Sequence, residues 1–360
     1  MKILHVVEDY SIESGGLRTV IKDLNHYLNK AGFFSCILSS KEEKLDNIFI
    51  VNTSKPWLYS KEWIKKITLI NEEYNFDVIH IHGVWTYPQY KSAQFSIDNK
   101  IPFILSCHGM YEPWLWKKGT VKKKIYFNNV AKNVFKKANF IHAITPDEKH
   151  NLTKLFNKES IIEIPNLISD SKDVFLKDKI KEKYILYLGR LDKKKGIDLL
   201  IEAFSKMKNK GVKLKIAGKI NEYKSNLDDL IERLKIDNQV EFLGLISGDK
   251  KQTLISNAHV LVAPSHSEVI GMVNLEAAIL KTPVITTHQT GLKPEWNNNG
   301  GRLINPNLKE LIIALDEILE WDVEKRNKNG EQLYNFVINN YSWSERFKDW
   351  LELYKSCQIK

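Results

Sequence analysis

Two carboxylates, Glu268 and Glu276, stand eight residues apart between two apolar segments. The segments at 258–264 and from 282 are typical of buried strands, and Gly271 between the carboxylates predicts that a helix begins there. A carboxylate accepts paired hydrogen bonds from adjacent hydroxyl groups, as a ribose or a hexose presents them. The start of a helix also attracts a diphosphate, because its N–H groups have no partner within the helix. The pattern therefore predicts a sugar-nucleotide site.

The alternative interpretation of this pair is structural, with one glutamate in a loop and the other on an exposed helix face. A short motif alone does not decide between the two. A second pair of residues favours the site. Arg190 and Lys195 lie in a loop after an apolar segment at 184–188. Two cations at such a place can neutralise a diphosphate and the charge that develops as a glycosidic bond breaks.

A histidine in the first half is the candidate for an active-site imidazole. His108 and Gly109 follow a predicted strand at 101–106, and open α/β sheets bind ligands at the carboxyl ends of their strands. The alternative is a hydrogen-bonded structural histidine. Gly15 and Gly16 follow the first predicted strand, at 3–7, and precede a predicted helix at 17–31. Glycines there allow a ligand to approach the backbone, although such a pair is often only a turn.

His80 and His82 alternate along another predicted strand, at 76–81 and just after it. Alternation points both imidazoles the same way, as a metal site would require. The sequence shows no obvious third ligand nearby. We therefore expect a role in the core or in a cleft, and no metal site.

Composition favours a folded protein of two domains, since the chain has 360 residues, of which 43% are hydrophobic. Its three cysteines are scattered, which argues against a disulfide framework or a metal-binding cysteine motif. No apolar segment reaches the roughly twenty residues that cross a bilayer. We expect a cytoplasmic protein with at most peripheral contact at the inner face of the cell membrane. The net charge of +10 allows anionic partners in general.

One segment concentrates positive charge, because residues 113–141 contain eight lysines and no acidic residue. Aromatic residues, among them Trp114 and Trp116, are interleaved with these lysines. This composition suggests contact with an anionic membrane surface, although a solvated helix face is the commoner explanation of a charge run. The lysines are Lys117, Lys118, Lys122, Lys123, Lys124, Lys132, Lys136 and Lys137.

Strands and helices alternate through both halves of the chain, and a polar segment at 169–183 is the predicted linker. The apolar periods predict helices at 62–74 and 308–319 and a strand at 184–188. Asp147, after Pro146, is the expected cap of a further helix. This alternation predicts an α/β protein with two parallel sheets.

Four motifs together resemble retaining glycosyltransferases of family 4, of the type that builds bacterial surface polysaccharides. They are the E-x7-E pair of Glu268 and Glu276, GR-x4-KG around Arg190 and Lys195, HGM-x-x-PW from His108, and IPN at 164–166. The resemblance covers nearly the whole chain. It implies the GT-B fold, with two Rossmann-like parallel-sheet domains facing a central cleft. Residues 1–166 would form the acceptor-side domain, with a closing helix at 341–360 packing back on it, and residues 167–340 the donor-binding domain.

The resemblance also implies roles. Glu268 would hold the donor sugar and Glu276 the ribose, Arg190 and Lys195 would bind the diphosphate, and His108 would lie near the donor sugar. Backbone groups that approach the donor would belong to Gly15, Gly16, Val269, Ile270, Gly271, Met272 and Val273. The chain departs from the usual family pattern at Val269, where a glycine commonly follows the first glutamate. That departure bears on the identity of the donor more than on the reaction.

The implied function is transfer of a hexose or related sugar, with retained anomeric configuration, from a nucleotide diphosphate sugar to a glycan or lipid-linked acceptor. UDP and GDP are the expected nucleotides, and no metal or other cofactor is expected. Two alternatives stay open: a nucleotide-sugar epimerase or phosphorylase of the same fold, and a non-enzymatic binder of an anionic membrane or of nucleic acid. The chain has no RNA-binding aromatic motif or recognition-helix signature, so we expect no nucleic-acid partner.

Overall fold

A computed structural model describes residues 1–11, 14–41, 47–116, 119–169 and 183–358, without the side chains of residues 114 and 115. The predicted linker at 169–183 therefore lies almost entirely outside the described residues. The chain divides into two compact units. The first unit is Met1–Leu167 with Arg346–Lys360, and the second is Ile168–Glu345.

The first unit is built on a seven-stranded sheet whose described pairings are all parallel. Its strands are β1 (Lys2–Val6), β2 (Phe34–Ser39), β3 (Ile48–Ile50), β4 (Val78–His82), β5 (Phe103–Ser106), β6 (Phe140–Ala143) and β7 (Ile161–Glu163). Its helices are α1 (Gly16–Lys30), α2 (Glu62–Tyr74), α3 (Tyr87–Asp98), α4 (Pro113–Trp116), α5 (Thr120–Tyr126), α6 (Lys132–Phe135) and α7 (Pro146–Thr153). A π-helical turn at Phe127–Ala131 joins α5 to α6.

The second unit has a six-stranded sheet that is also parallel. Its strands are β8 (Tyr184–Leu188), β9 (Lys213–Ala217), β10 (Val240–Gly244), β11 (Val260–Ala263), β12 (Val284–Thr287) and β13 (Arg302–Ile304). Its helices are α8 (Ile197–Lys206), α9 (Tyr223–Leu234), α10 (Gly248–Asn257), α11 (Met272–Ile279), α12 (Leu308–Leu319) and α13 (Val323–Tyr341). The last helix, α14 (Trp343–Cys357), begins in this unit and ends in the first.

Strand order reverses once in each sheet. The first sheet runs β3-β2-β1-β4-β5-β6-β7 and the second β10-β9-β8-β11-β12-β13. The reversal lies between β1 and β4 in the first sheet and between β8 and β11 in the second. Connections from the two strands at a reversal leave on opposite faces of the sheet, so a crevice forms beyond their carboxyl ends. This crevice is the usual ligand site of doubly wound folds.

Burial of both sheet faces explains the apolar strands. In α1, the residues that face the sheet recur with the helical period, namely Val20, Ile21, Leu24 and Leu28. The helices predicted at 62–74 and 308–319 and the strand predicted at 184–188 are confirmed. The three cysteines are free and buried.

One predicted helix cap is wrong. Helix α7 begins at Pro146, and the cap is Thr145, whose hydroxyl accepts a hydrogen bond from the N–H of Glu148 at 3.1 Å. Proline suits the first helical position because it has no N–H to satisfy. Asp147 therefore lies inside the first turn of the helix. Among the described residues, no helix is both long and apolar enough to cross a membrane.

Candidate functional site

Two loops meet at the strand reversal of the second sheet. One follows β8 and carries Arg190 and Lys195, and the other follows β11 and carries Glu268. The N–H of His266 donates to the carbonyl oxygen of Lys194 at 2.9 Å. Gly196 has a φ of 67°, and a Cβ atom there would lie 2.2 Å from the carbonyl oxygen of Pro264. Only glycine lets the backbone at position 196 lie this close to Pro264, so Gly196 is required for the close packing of the two loops.

Lys195 and Glu268 form an ion pair across these loops, and each side chain is only 20% exposed. Burial, with the positive charges of Arg190 and Lys194, lowers the pKa of Lys195 to about 8, while Asp192 acts in the opposite direction. Three cationic side chains thus act on one small region. Such a concentration of positive charge favours an anionic ligand.

Helix α11 begins where the sequence predicts. Gly271 precedes its first residue, Met272, and no side chain caps the helix N-terminus. The preceding loop is anchored by Ile270, which is buried, while Val269 and Val273 are partly buried. Two further hydrogen bonds fix this region, since the hydroxyl of Thr287 donates to the carbonyl oxygen of Ser265 at 2.6 Å and that of Thr286 to Ala263 at 2.9 Å.

Glu276 lies in the second turn of α11 and forms an ion pair with Lys251 of α10 at 2.6 Å. The two predicted carboxylates therefore each have their own lysine partner. Lys251 is a site candidate that the sequence analysis does not identify. Helix α10 contains few apolar residues, and no periodic signal marks its position.

In the first unit, Gly15 and Gly16 lie at the start of α1. Gly15 precedes the helix with φ 67° and ψ −126°, and no side chain caps this N-terminus. A Cβ atom at Gly15 would meet no atom within 4 Å, so backbone conformation and not crowding explains the glycine. The N–H groups of the first turn are thereby left to water or a ligand.

His108 follows β5 in a left-handed conformation, with φ 51°. The bend is held by Glu148, whose two carboxylate oxygens accept hydrogen bonds from the N–H of Gly109 at 2.6 Å and of Ile144 at 2.7 Å. Burial raises the pKa of Glu148 to about 7, against the opposing effect of these two bonds. A left-handed conformation is costly for a residue with a side chain, and it persists where the surroundings impose it.

His108 is the end of a chain of three imidazoles. Its Nε2 atom lies 2.9 Å from Nδ1 of His82, and Nε2 of His82 lies 2.9 Å from Nδ1 of His5. His5 and His82 are fully buried, whereas His108 is partly exposed. Burial lowers the pKa of His5 and of His108 to about 3, and that of His82 well below its ordinary value. At pH 7 all three rings are neutral.

A second chain lies beside the first. Its links are Tyr354 hydroxyl to His80 Nδ1 at 2.7 Å, His80 Nε2 to Ser106 Oγ at 2.7 Å, and Ser106 Oγ to His142 Nδ1 at 2.8 Å. The chain ends where His142 Nε2 meets the carbonyl oxygen of Ile164 at 2.7 Å. A carbonyl oxygen only accepts, so His142 donates there, and the direction of every other link follows from this end.

Three of these histidines, His5, His80 and His82, offer ring nitrogens within 4.8 Å of one another. His80 and His82 point the same way, as predicted, with ring centroids 4.1 Å apart. The third imidazole, which the sequence analysis lacks, comes from β1, where His5 is the register partner of His80. The nitrogens of His80 and His82 are already engaged in the hydrogen bonds described above. A metal ion would have to break several of these bonds, so we regard the group as a hydrogen-bonded network.

Comparison with protein families divides the chain in the same way. Residues 14–172 match the model described as Glycosyltransferase Family 4, and residues 170–336 match Glycosyl transferases group 1. An uncharacterized glycosyltransferase of Methanocaldococcus jannaschii is 34% identical over 178 residues, or 48% of this chain and 45% of that protein. The O-antigen chain mannosyltransferase RfbU of Salmonella typhimurium is 28% identical over 223 residues, or 61% of this chain and 59% of that protein. Both alignments span less than two thirds of the relative.

Similarity of structure extends further than similarity of sequence. The crystal structure of Anabaena HepE in complex with UDP-glucose superposes with a TM-score of 0.79 at 17% identity, and the match covers 99% of this chain and 100% of that chain. Such low identity shows the fold alone, which is GT-B with two Rossmann-like parallel-sheet domains. The two family models together span residues 14–336, and the chain therefore belongs to the glycosyltransferases, with a Family 4 first half and a group 1 second half.

Proposed function

We propose that this protein transfers a hexose or related sugar from a nucleotide diphosphate sugar, with retained anomeric configuration, to a glycan or lipid-linked acceptor of a bacterial surface polysaccharide. One observation carries the proposal. Arg190, Lys195 and Glu268 converge at the strand reversal of the second sheet, and an uncapped helix begins beside them. The name of RfbU, an O-antigen chain mannosyltransferase, supports the class of acceptor.

In this proposal the donor diphosphate binds at Lys195 and Arg190, near the N-terminus of α11. Binding would replace Glu268 as the anionic partner of Lys195. The freed carboxylate would then accept hydrogen bonds from hydroxyl groups of the donor sugar, and Glu276 would accept those of the ribose. The HepE complex contains UDP-glucose, which supports a UDP sugar as donor. GDP sugars carry the same diphosphate and are the second class to test.

The proposed chemistry needs stabilisation of the leaving group above all. As the glycosidic bond breaks, negative charge grows on the diphosphate, and fixed cations in a partly buried site stabilise it more than water does. Arg190 and Lys195 would supply this charge, so that no metal ion is needed. The leaving phosphate would take the acceptor proton on the same face of the sugar, which retains the configuration. His108, neutral at pH 7, would contribute a hydrogen bond and not a charge.

The first prediction concerns the two cations. Arg190→Ala and Lys195→Ala should each raise the KM for the sugar-nucleotide donor or lower kcat/KM by at least about tenfold, because hydrogen bonds to charged groups contribute about 1.5 to 3 kcal/mol. Steady-state kinetics with each donor measures this, and circular dichroism checks that the variants fold. Lys193→Ala is the matched control, since Lys193 lies in the same loop and is exposed. Rates like those of the wild type in both variants would contradict the proposed diphosphate contacts.

The second prediction separates the carboxylates. Glu276→Ala should raise the KM for the donor more than it lowers kcat, because a ribose contact is equally strong in the ground and transition states. Glu268→Ala should mainly lower kcat. Lys251→Ala serves as the control for the ion pair of Glu276, and a smaller effect than that of Glu276→Ala is expected. Equal KM and kcat effects in the two glutamate variants would show that their roles are not divided in this way.

We also propose that the lysine-rich segment brings the enzyme to an anionic membrane that carries the acceptor. On α5, Val121 and Ile125 are 70% and 56% exposed and lie one turn apart, and Lys122 and Lys124 beside them are exposed. Exposed apolar residues flanked by lysines are typical of a helix that lies at a membrane surface.

The tryptophans and the first two lysines of the lysine-rich segment contribute less to this proposal than α5 does. Trp116 packs inward, with its ring stacked on Tyr111 at 5.8 Å and its indole N–H donating to the Tyr111 carbonyl oxygen at 3.0 Å. It is partly buried and packs against the core of the first unit, so the proposal rests on α5 and not on this indole. The side chain of Trp114 and residues Lys117 and Lys118 are not among the described parts of the chain.

The third prediction is that a Lys122, Lys123, Lys124→Glu triple variant loses binding to anionic liposomes. Each basic residue near such a surface contributes about 1 kcal/mol, so the loss should exceed a hundredfold in the partition coefficient. Co-sedimentation with phosphatidylglycerol and with phosphatidylcholine vesicles measures it. A Lys206, Lys208, Lys210→Glu variant carries the same change in net charge on the second unit and should retain binding. Equal binding to both lipids, or an equal loss of binding in both variants, would show that α5 is an ordinary solvated helix.

A further inference from the structure

The chain of His5, His82 and His108 has a property that its neighbour lacks: within the described residues, no carbonyl group fixes its direction. Each N···N contact needs one N–H group and one lone pair. Since all three rings are neutral, the chain has two forms. Either His5, His82 and His108 all carry the proton on Nδ1, or all three carry it on Nε2. The two 2.9 Å contacts are satisfied equally well in both forms.

The buried end distinguishes the two forms. Nε2 of His5 is buried and has no hydrogen-bond partner among the described residues. If the chain carries its protons on Nε2, this atom is an N–H donor without an acceptor. In the other form it is a lone pair without a donor. Buried N–H groups without partners are rarer in folded proteins than buried acceptors with an unused lone pair, so the form with all three protons on Nδ1 is favoured.

Exchange between the two forms needs movement of protons along the whole chain. One proton must enter at Nδ1 of His108, one must pass across each N···N contact, and one must leave from Nε2 of His5. Nε2 of His5 has no hydrogen-bond partner in the described part of the protein, so no described group there can take the departing proton. The end at His108 is partly exposed. Among the described residues, the three hydrogen-bonded imidazoles can therefore exchange protons with their surroundings only at His108.

We propose that His5 and His82 are positioning residues that fix the proton of the neutral His108 on Nδ1, so that His108 presents an N–H donor to a ligand and cannot act as a base at that atom. Glu148 completes the arrangement by holding the bend at Gly109. The part that His108 plays toward a ligand rests on the proposed function, whereas the tautomer does not. In the transfer, such a donor would bind a hydroxyl or carbonyl oxygen of the sugar.

The tautomer is directly measurable in protein labelled with ¹⁵N-histidine, by long-range ¹H–¹⁵N NMR correlations at pH 7. The signals of His108 are identified by their loss in His108→Gln. We expect a protonated Nδ1 and an unprotonated Nε2 in the wild type. His142 provides an internal control, because the carbonyl oxygen of Ile164 requires its proton on Nε2.

Two substitutions at the buried end test the cause. His5→Met replaces the ring with a thioether, which accepts but does not donate, so His82 should donate toward it and His108 should change to the Nε2–H form. His5→Gln offers both an N–H donor and a carbonyl acceptor, so it permits the wild-type tautomer and controls for loss of the imidazole itself. Unchanged His142 signals in both variants show that the fold is intact.

A wild-type His108 with its proton on Nε2, or a tautomer that stays the same in His5→Met, would overturn the inference. If His5→Met does not fold, the wild-type spectrum still decides between the two forms. None of these measurements uses catalytic activity. A failure of the proposed transferase function therefore leaves this test unaffected, and the reverse also holds.

Discussion

The reversal of strand order determines where chemistry can occur in each unit. Parallel strands place all their carboxyl ends at one edge of the sheet. The connections from two neighbouring strands leave on opposite faces of the sheet only where the strand order reverses, and a crevice forms there. In the second sheet the turn lies between β8 and β11, and the following loops supply Lys195 and Glu268. In the first sheet it lies between β1 and β4, which supply His5 and His82. The candidate groups of both units thus lie at or beside the corresponding position of a repeated topology.

Burial gives the two positions different chemistry. In the second unit, Lys195 keeps a carboxylate partner while burial and nearby cations lower its pKa to about 8. In the proposed function, the donor diphosphate replaces this carboxylate. In the first unit, burial keeps the imidazoles neutral, and their ring nitrogens are hydrogen-bonded to one another, as for His82 and His108. This position offers directed hydrogen bonds and little charge.

Sequence reasoning predicts the parts of this arrangement that depend on local patterns. The helix at Glu62–Tyr74 and the start of α11 follow from apolar periodicity and from a glycine. The partners of the site residues do not follow from local patterns. His5 joins His82 only through the register of β1 and β4, which lie more than seventy residues apart, and Lys251 lies on a helix without a clear apolar period. Asp147 fails as a cap because Thr145 precedes a proline that already suits the first helical position.

The central claim is that a diphosphate replaces Glu268 as the partner of Lys195, and proton uptake on binding tests it most directly. Calorimetric titration of UDP-glucose and GDP-mannose at pH 8, in buffers of different ionisation enthalpy, gives the number of protons taken up. With a pKa of about 8, Lys195 is about half protonated in the free protein, and an added anion raises its pKa, so we predict uptake of about half a proton. Lys195→Arg, charged at every pH, should bind without uptake. Binding heats that do not depend on the buffer in the wild type, or equal uptake in Lys195→Arg, would contradict the account.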